Sequence, residues 1–168
     1  PIESLYADAE AALNRYEASL ELGFDVTGGL PNREHTREDG NEHVRTVLDI
    51  AEKYDVRADL HIDETDDPQA RYTGTLASET LKRGLGNRVT ASHATALHSY
   101  SNAYADQLIG LIASSGMNVV TNPLTNAVLQ GRYSDFPRRR GHTRIQQLRS
   151  NGVTVGMRQD DILDHFNS

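Results

Sequence analysis

Along this chain, short apolar runs rich in β-branched residues alternate with longer stretches whose apolar positions recur at helical spacing. The runs are "FDVTGGLP" (24–31), "VRADLHIDE" (56–64), "RVTASHA" (88–94), "MNVVTNPL" (117–124) and "VTVGMRQDD" (153–161). They are about thirty residues apart, the length of one strand plus one helix. Between them, Val44, Val47, Leu48 and Ala51 share one helical face, as do Tyr104, Leu108, Leu111 and Ile112. Gly23, Gly86, Gly116 and Gly152 stand where helix C-caps are expected before the next strand.

Strand and helix alternating in this way predict an α/β fold, a parallel sheet with right-handed crossovers. An open doubly wound sheet gathers its functional residues at one switch point, whereas a (β/α)8 barrel draws them from the C-terminal ends of many strands. Here chemically capable residues end nearly every run: Asn32 and Glu34, then His61, Asp63 and Glu64, then His93, then Asn122, then Asp160 and Asp161. That distribution favours the barrel. A complete barrel takes about 250 residues, or about 31 per unit, so 168 residues hold about five strand-helix units. The expectation is a single partial barrel domain over residues 1–168. The one long stretch read as irregular, 124–143, is expected to be a lid or pocket wall rather than slack chain.

Charge and composition narrow the function. Asp and Glu number 24 against 17 Lys and Arg, a formal net charge of -7, which argues against a nucleic-acid partner. The arginines of "FPRRRGHTR" (136–144) are read as a loop that packs and pairs with carboxylates. No apolar run reaches the roughly 18 to 20 residues that would span a bilayer, so no membrane partner is expected. There is no cysteine, which removes disulfides, thiolate zinc sites and thiol nucleophiles together. Any metal must be held by histidine and carboxylate. Because Pro1 stands first, with no initiator Met and no signal-peptide pattern, the chain reads as a piece of something longer.

The candidate chemistry concentrates in "HIDETDD". His61 and Glu64 lie near one strand tip, where a neutral imidazole suits a divalent metal and an unligated carboxylate can shuttle protons. His93 ends the next strand and Asp160 the last. Two histidines and an aspartate on three strand tips of one parallel sheet are a less probable coincidence than any one of them. The plainer alternatives are a core histidine at 93 and a helix cap at 160, for a helix beginning near Ile162. His35, His43, His98, His142 and His165 fall in helices or loops and read as solvent-facing or locally packed. A small open-sheet protein with Mg2+ on Asp160 and Asp161 is a further alternative, but it leaves the histidines unexplained.

The strings "DLHIDETDD", "RVTASHATALHSYSNAYADQL", "NVVTNPLTNAVLQGRYSDFPRRRGHTRI" and "VTVGMRQDDILDHF" resemble, in order and spacing, bacterial cytosine deaminase and its close relatives in the metal-dependent amidohydrolase superfamily. The resemblance covers strands four to eight of that family's barrel. It implies a cytoplasmic hydrolase with one divalent metal, Fe2+ or Zn2+, that activates water to attack a cytosine-like pyrimidine or related ring, cleave a cyclic amidine C–N bond and release ammonia. Such an enzyme takes a small cyclic substrate and is expected to be a homo-oligomer in its full-length form. By resemblance His61 is a metal ligand, Glu64 moves protons between water and ring, and His93 orients the attacking water. Asp160 binds metal and takes the water's proton, while Asp161 lies close to the substrate ring.

Three departures fall on the site. No His-x-His pair, which supplies two further metal ligands in the family, occurs in these residues. Ile2 stands where the resemblance places a glutamine that reads the substrate's amide edge, and Gln159 stands where it places a histidine. Met157 and Arg158 replace small or aromatic neighbours, with Arg158 expected near the end of a buried strand. A catalytically inactive barrel fragment that serves only as a binding or assembly module is therefore the alternative reading.

Overall fold

A computed structural model describes residues 9–136 and 141–160 of the chain. After helix α1 (Ala9–Glu21), five strands form one parallel sheet: β1 (Val26–Thr27), β2 (Arg57–Ile62), β3 (Val89–His93), β4 (Asn118–Thr121) and β5 (Val155–Met157). Helices α2 (Arg37–Lys53), α3 (Tyr72–Arg83), α4 (Asn102–Ser115), α5 (Pro123–Leu129) and α6 (Ile145–Ser150) fill the connections. The strands lie in strictly sequential order. An unbroken order of right-handed crossovers keeps the connecting helices on one face and leaves no switch point, so the sheet is an arc of a barrel.

The α/β barrel reading of the strand pattern therefore holds. Period-two alternation explains how. In β2, Ala58, Leu60 and Ile62 are buried under the helices, while Asp59 and His61 face the concave side. The outer core is completed by Val44, Val47, Leu48 and Ala51 of α2 and by Leu108 and Ile112 of α4, with Tyr104 and Leu111 half-buried beside them. Local signals fix the helix ends. The Thr36 side chain accepts from Asp39 N–H at the start of α2, Ser101 does the same from Tyr104 N–H for α4, and Gly116 ends α4 at φ +70°.

Three expectations need correction. Gly84, at φ +65°, is the C-cap of α3, and Gly86 belongs to the short 3-10 turn at Gly86–Arg88 that follows. The stretch 124–143 is not wholly irregular, because Pro123 pre-sets the first turn of α5 and the chain stays helical to Leu129. Arg158 is not in a buried strand either. It lies exposed just after β5 and reaches over the concave face to β2, with guanidinium contacts of 3.0 Å to both Asp59 Oδ2 and Ser92 Oγ. This bridge from the fifth strand to the second is a chord across the curved sheet.

Candidate metal and catalytic site

All four residues at the centre of the expected site meet at the C-terminal ends of the strands. His61 Nδ1 lies 3.0 Å from His93 Nε2, and Asp160 Oδ2 lies 3.7 Å from the same nitrogen. One ligand atom from each of His61, His93 and Asp160 falls within 4.8 Å of the others. Glu64 Oε1 stands 3.3 Å from His93 Nδ1, on the opposite edge of that ring.

Simple alternation would not produce this convergence. If β2 continued its period of two, Asp63 would follow His61 to the concave face and Glu64 would turn under the helices. Instead Asp63 adopts a left-handed conformation (φ +49°), so its carboxylate points outward and Glu64 points inward. The same device acts in β3, where Ser92 already faces inward to Asp59, yet His93 (φ +72°) turns inward as well. Left-handed backbone is costly outside glycine, so each kink must be held by its surroundings.

For Asp63 those surroundings are explicit. Its fully buried carboxylate accepts from Tyr72 N–H at 3.0 Å, Thr73 N–H at 2.8 Å and the Tyr100 hydroxyl at 3.2 Å. It thereby caps α3, whose own N-cap position, Arg71, offers no side-chain bond. The Asp63 amide donates to Asn32 Oδ1 at 2.8 Å, and its carbonyl accepts from Ala96 N–H and the Thr95 hydroxyl at 3.0 Å each. Burial pushes the Asp63 carboxyl up from the usual carboxylate range, while the donors from Thr73, Tyr72 and Tyr100 pull it back.

The His93 ring is fully buried, and that burial above all pushes its pKa down to about 4; the neighbouring His61 and Arg158 act in the same direction, against Asn126 and Asp59. At neutral pH the imidazole is therefore uncharged and fit to hold a metal or to accept from water. Asn122, Asn126 and Gln130, all buried, surround it and Glu64. The polar character of Asn122 at a strand tip was visible in the sequence. Asn126 and Gln130 were not singled out, and their i, i+4 spacing within an apparent loop was the one available signal.

Gln159 is exposed beside the cluster, and its carbonyl accepts from the Thr125 hydroxyl at 3.0 Å. Ile2 and Asp161 lie outside the described residues. Glu34 does not join the site. It pairs with His43, Nδ1 to Oε1 at 2.6 Å, in a buried contact behind the loop after β1. His43 is thus locally packed, as expected, whereas His35, His98 and His142 are exposed. Beside the cluster an open cleft of about 1050 Å³ is lined by Asn32, His61, Glu64, Gln69, Tyr72 and Gln130, among others.

The donor set fits a divalent ion. Bonds of about 2.0 to 2.2 Å at tetrahedral angles place neighbouring ligand atoms about 3.3 Å apart; the spacings around His93 Nε2 are 3.0 and 3.7 Å, and all three ligand atoms lie within 4.8 Å, so His61 and Asp160 must draw together to share one ion. Two imidazoles and a carboxylate suit zinc or iron more than magnesium. Among the described residues no helix is long and apolar enough to cross a membrane.

Known proteins carry the same arrangement of fold and sequence. The amidohydrolase family pattern matches residues 10–168. The structure of 5-methylcytosine deaminase from Klebsiella pneumoniae, liganded with 5-fluorocytosine, superposes with a TM-score of 0.89 at 41% identity, covering 93% of this chain and 38% of that one. Among curated proteins, pterin deaminase of Rhizobium rhizogenes (strain K84 / ATCC BAA-868) is 34% identical over 109 residues, 64% of this chain and 25% of its own. N-isopropylammelide isopropyl amidohydrolase of Pseudomonas sp. (strain ADP) is 34% identical over 104 residues, 61% of this chain and 25% of its own. The chain thus spans about a quarter of the length of these curated relatives. A family pattern that runs from residue 10 to residue 168, over a barrel arc with its polar cluster at the C-terminal strand ends, means that the chain belongs to the amidohydrolase family.

Proposed function

We propose that this chain carries the proton-handling half of a metal-dependent hydrolytic deaminase that cleaves a cyclic amidine C–N bond of a cytosine-like pyrimidine or related ring and releases ammonia. The observation that carries the reading is the meeting of His61, His93 and Asp160 around one point at the ends of β2, β3 and β5, with Glu64 on the far edge of the His93 ring. The 41% identity to a 5-methylcytosine deaminase supports the choice of ring.

His61 and Asp160 would hold the metal, Fe2+ or Zn2+, with His93 Nε2 facing the same point. When bound, such an ion supplies a Lewis acid that makes water nucleophilic near neutral pH. Asp160 takes a proton from the attacking water, and neutral His93 accepts a hydrogen bond that fixes its direction. Glu64, at the cleft wall, carries a proton to the ring nitrogen, which lets the amine leave as ammonia. Gln159 and Asp161 are proposed to contact the substrate ring, as is Ile2, which can offer only apolar contact there. The substrate enters through the cleft past Asn32 and Gln69.

Ammonia release from cytosine, 5-methylcytosine and pterin, measured on the metal-loaded natural full-length protein, tests this. Turnover of at least one ring is expected, with Glu64→Gln lowering it by about 10²-fold or more at unchanged metal content. A fully metal-loaded protein that deaminates none of them would favour the binding-module alternative instead.

A further inference from the structure

The polar groups beside His93 form a chain whose donors and acceptors can be assigned without seeing a hydrogen. The Glu64 backbone carbonyl can only accept, so the Gln130 group that faces it at 3.2 Å is the Nε2 amide donor. This turns Gln130 Oε1 towards Asn126, where it accepts from Nδ2 at 3.2 Å. The Glu64 carboxylate gives the same answer independently, because its Oε1 lies 2.9 Å from the same Asn126 nitrogen and accepts from it. Asn126 is therefore held with Nδ2 towards Glu64 and Gln130, and with Oδ1 towards His93.

Asn126 Oδ1 lies 3.1 Å from His93 Nδ1, and Glu64 Oε1 lies 3.3 Å from it. Both are acceptors, so Nδ1 must carry the proton. Asn122 Nδ2, 3.2 Å from both ring nitrogens, is a donor and can serve only the unprotonated one. A buried neutral imidazole has a single N–H, which leaves Nε2 unprotonated, its lone pair on the side of His61 and Asp160 and within reach of the Asn122 amide.

We propose that Asn126, oriented by Gln130, is a positioning residue that fixes His93 as the Nδ1–H tautomer and holds the Glu64 carboxylate against the other edge of the same amide. One side chain then sets two geometries together, the direction of the His93 lone pair and the place of the Glu64 proton carrier. The tautomer assignment stands on hydrogen bonding alone, and its consequence for turnover rests on the deaminase reading above.

The direct test is the imidazole ¹⁵N spectrum of the metal-free protein at pH 7.5, with His93 assigned through a His93→Gln variant. Wild type is expected to show Nδ1 protonated and Nε2 unprotonated. An Nε2–H ring in wild type would overturn the proposal outright, with no variant required. Asn126→Ala is expected to release the tautomer bias, and an unchanged Nδ1–H signal there would also overturn it. Asn126→Asp separates the two functions, since a carboxylate still accepts from Nδ1–H but cannot donate to Glu64. It should keep the tautomer and lower kcat by about 10²-fold with KM changed by less than about threefold. Wild-type kcat retained in Asn126→Asp would overturn the Glu64 half. Absence of ammonia release from wild type, with the expected tautomer present, would sink the deaminase reading and leave the positioning role standing.

Discussion

Replacing Asp63 with alanine should unlatch the β2 tip, and the cost can be worked from its contacts. The carboxylate accepts two first-turn amides of α3, those of Tyr72 and Thr73, and shares the single Tyr100 hydroxyl proton with the Ala70 carbonyl. Tyr100 retains that carbonyl in the variant, so two donors are orphaned rather than three. A buried donor left without a partner costs about 1 to 3 kcal/mol. The Thr73 amide is buried and belongs at the upper end, and the Tyr72 amide, partly buried, at the lower. Their sum is about 4 kcal/mol. Alanine also tolerates the left-handed backbone at position 63 less well than aspartate does.

Asp63→Asn serves as the internal control. Asparagine suits the same backbone but offers one acceptor oxygen, so one amide is orphaned and the cost should be about half. Tyr100→Phe should cost about 1 kcal/mol, because the hydroxyl proton it loses was shared. Urea unfolding followed by far-ultraviolet circular dichroism ranks the three, and amide exchange at Tyr72 and Thr73 locates the effect. Since domains are stable by about 5 to 15 kcal/mol in all, the alanine variant should be close to unfolding. A measured loss below about 1 kcal/mol for Asp63→Ala, or amide protection at Thr73 equal to wild type, would refute the reasoning.

Gly29→Ala should cost about 2 kcal/mol, because a Cβ there would lie 2.2 Å from His43 Nε2 and 3.0 Å from Val47. The Gly29 carbonyl accepts the His61 amide at 3.0 Å, so metal affinity measured by titration should fall with stability; a fully stable variant would count against it. For the metal-free protein, stability should decline as pH falls below about 6.5. Burial lowers the pKa of His43 and, towards about 4, that of His93, so both must gain a proton on unfolding in that window. Glu34 at 2.6 Å opposes the shift at His43, and His43→Gln should flatten the slope of unfolding midpoint against pH; a midpoint that rises on acidification would contradict both assignments. Among the described residues His61, His93 and Asp160 come together, and the two proposed as metal ligands, His61 and Asp160, are fewer than the three usual for a catalytic site. Elemental analysis after dialysis should find sub-stoichiometric metal, and His61→Ala should bring it to background.

The strand and helix order was legible because each element carries its own period, and the parallel arc followed from that alternation. The candidate site residues His61, Glu64, His93 and Asp160 are legible as polar positions at run ends. Several features were hidden for definite reasons. Helix α5 begins with Pro123 and is seven residues long, too short for a hydrophobic stripe to declare itself beside the Gly131 and Pro137 signals that follow. Asn126 and Gln130 were lost with it. Arg158 continues the β5 pattern in sequence although the strand ends at Met157; its partner Asp59 is 99 residues away, a separation no local pattern can show.

The least legible step was also the one that builds the site. A period of two places His61 on the concave face by itself, but it sends Glu64 and His93 to the other side. Only the left-handed residues Asp63 and His93 bring them in. Asp and His enter left-handed backbone more readily than most residues, but neither signals it as glycine often does, so the local sequence marks them only weakly, and each is held by contacts from distant elements. For Asp63 these are Asn32 before it, α3 after it, and Tyr100 beyond β3. The geometry of the candidate site is thus a tertiary property set on a locally encoded frame. Substitutions at Asp63 or Tyr100, which touch no substrate, should move Glu64 as surely as substitutions beside it.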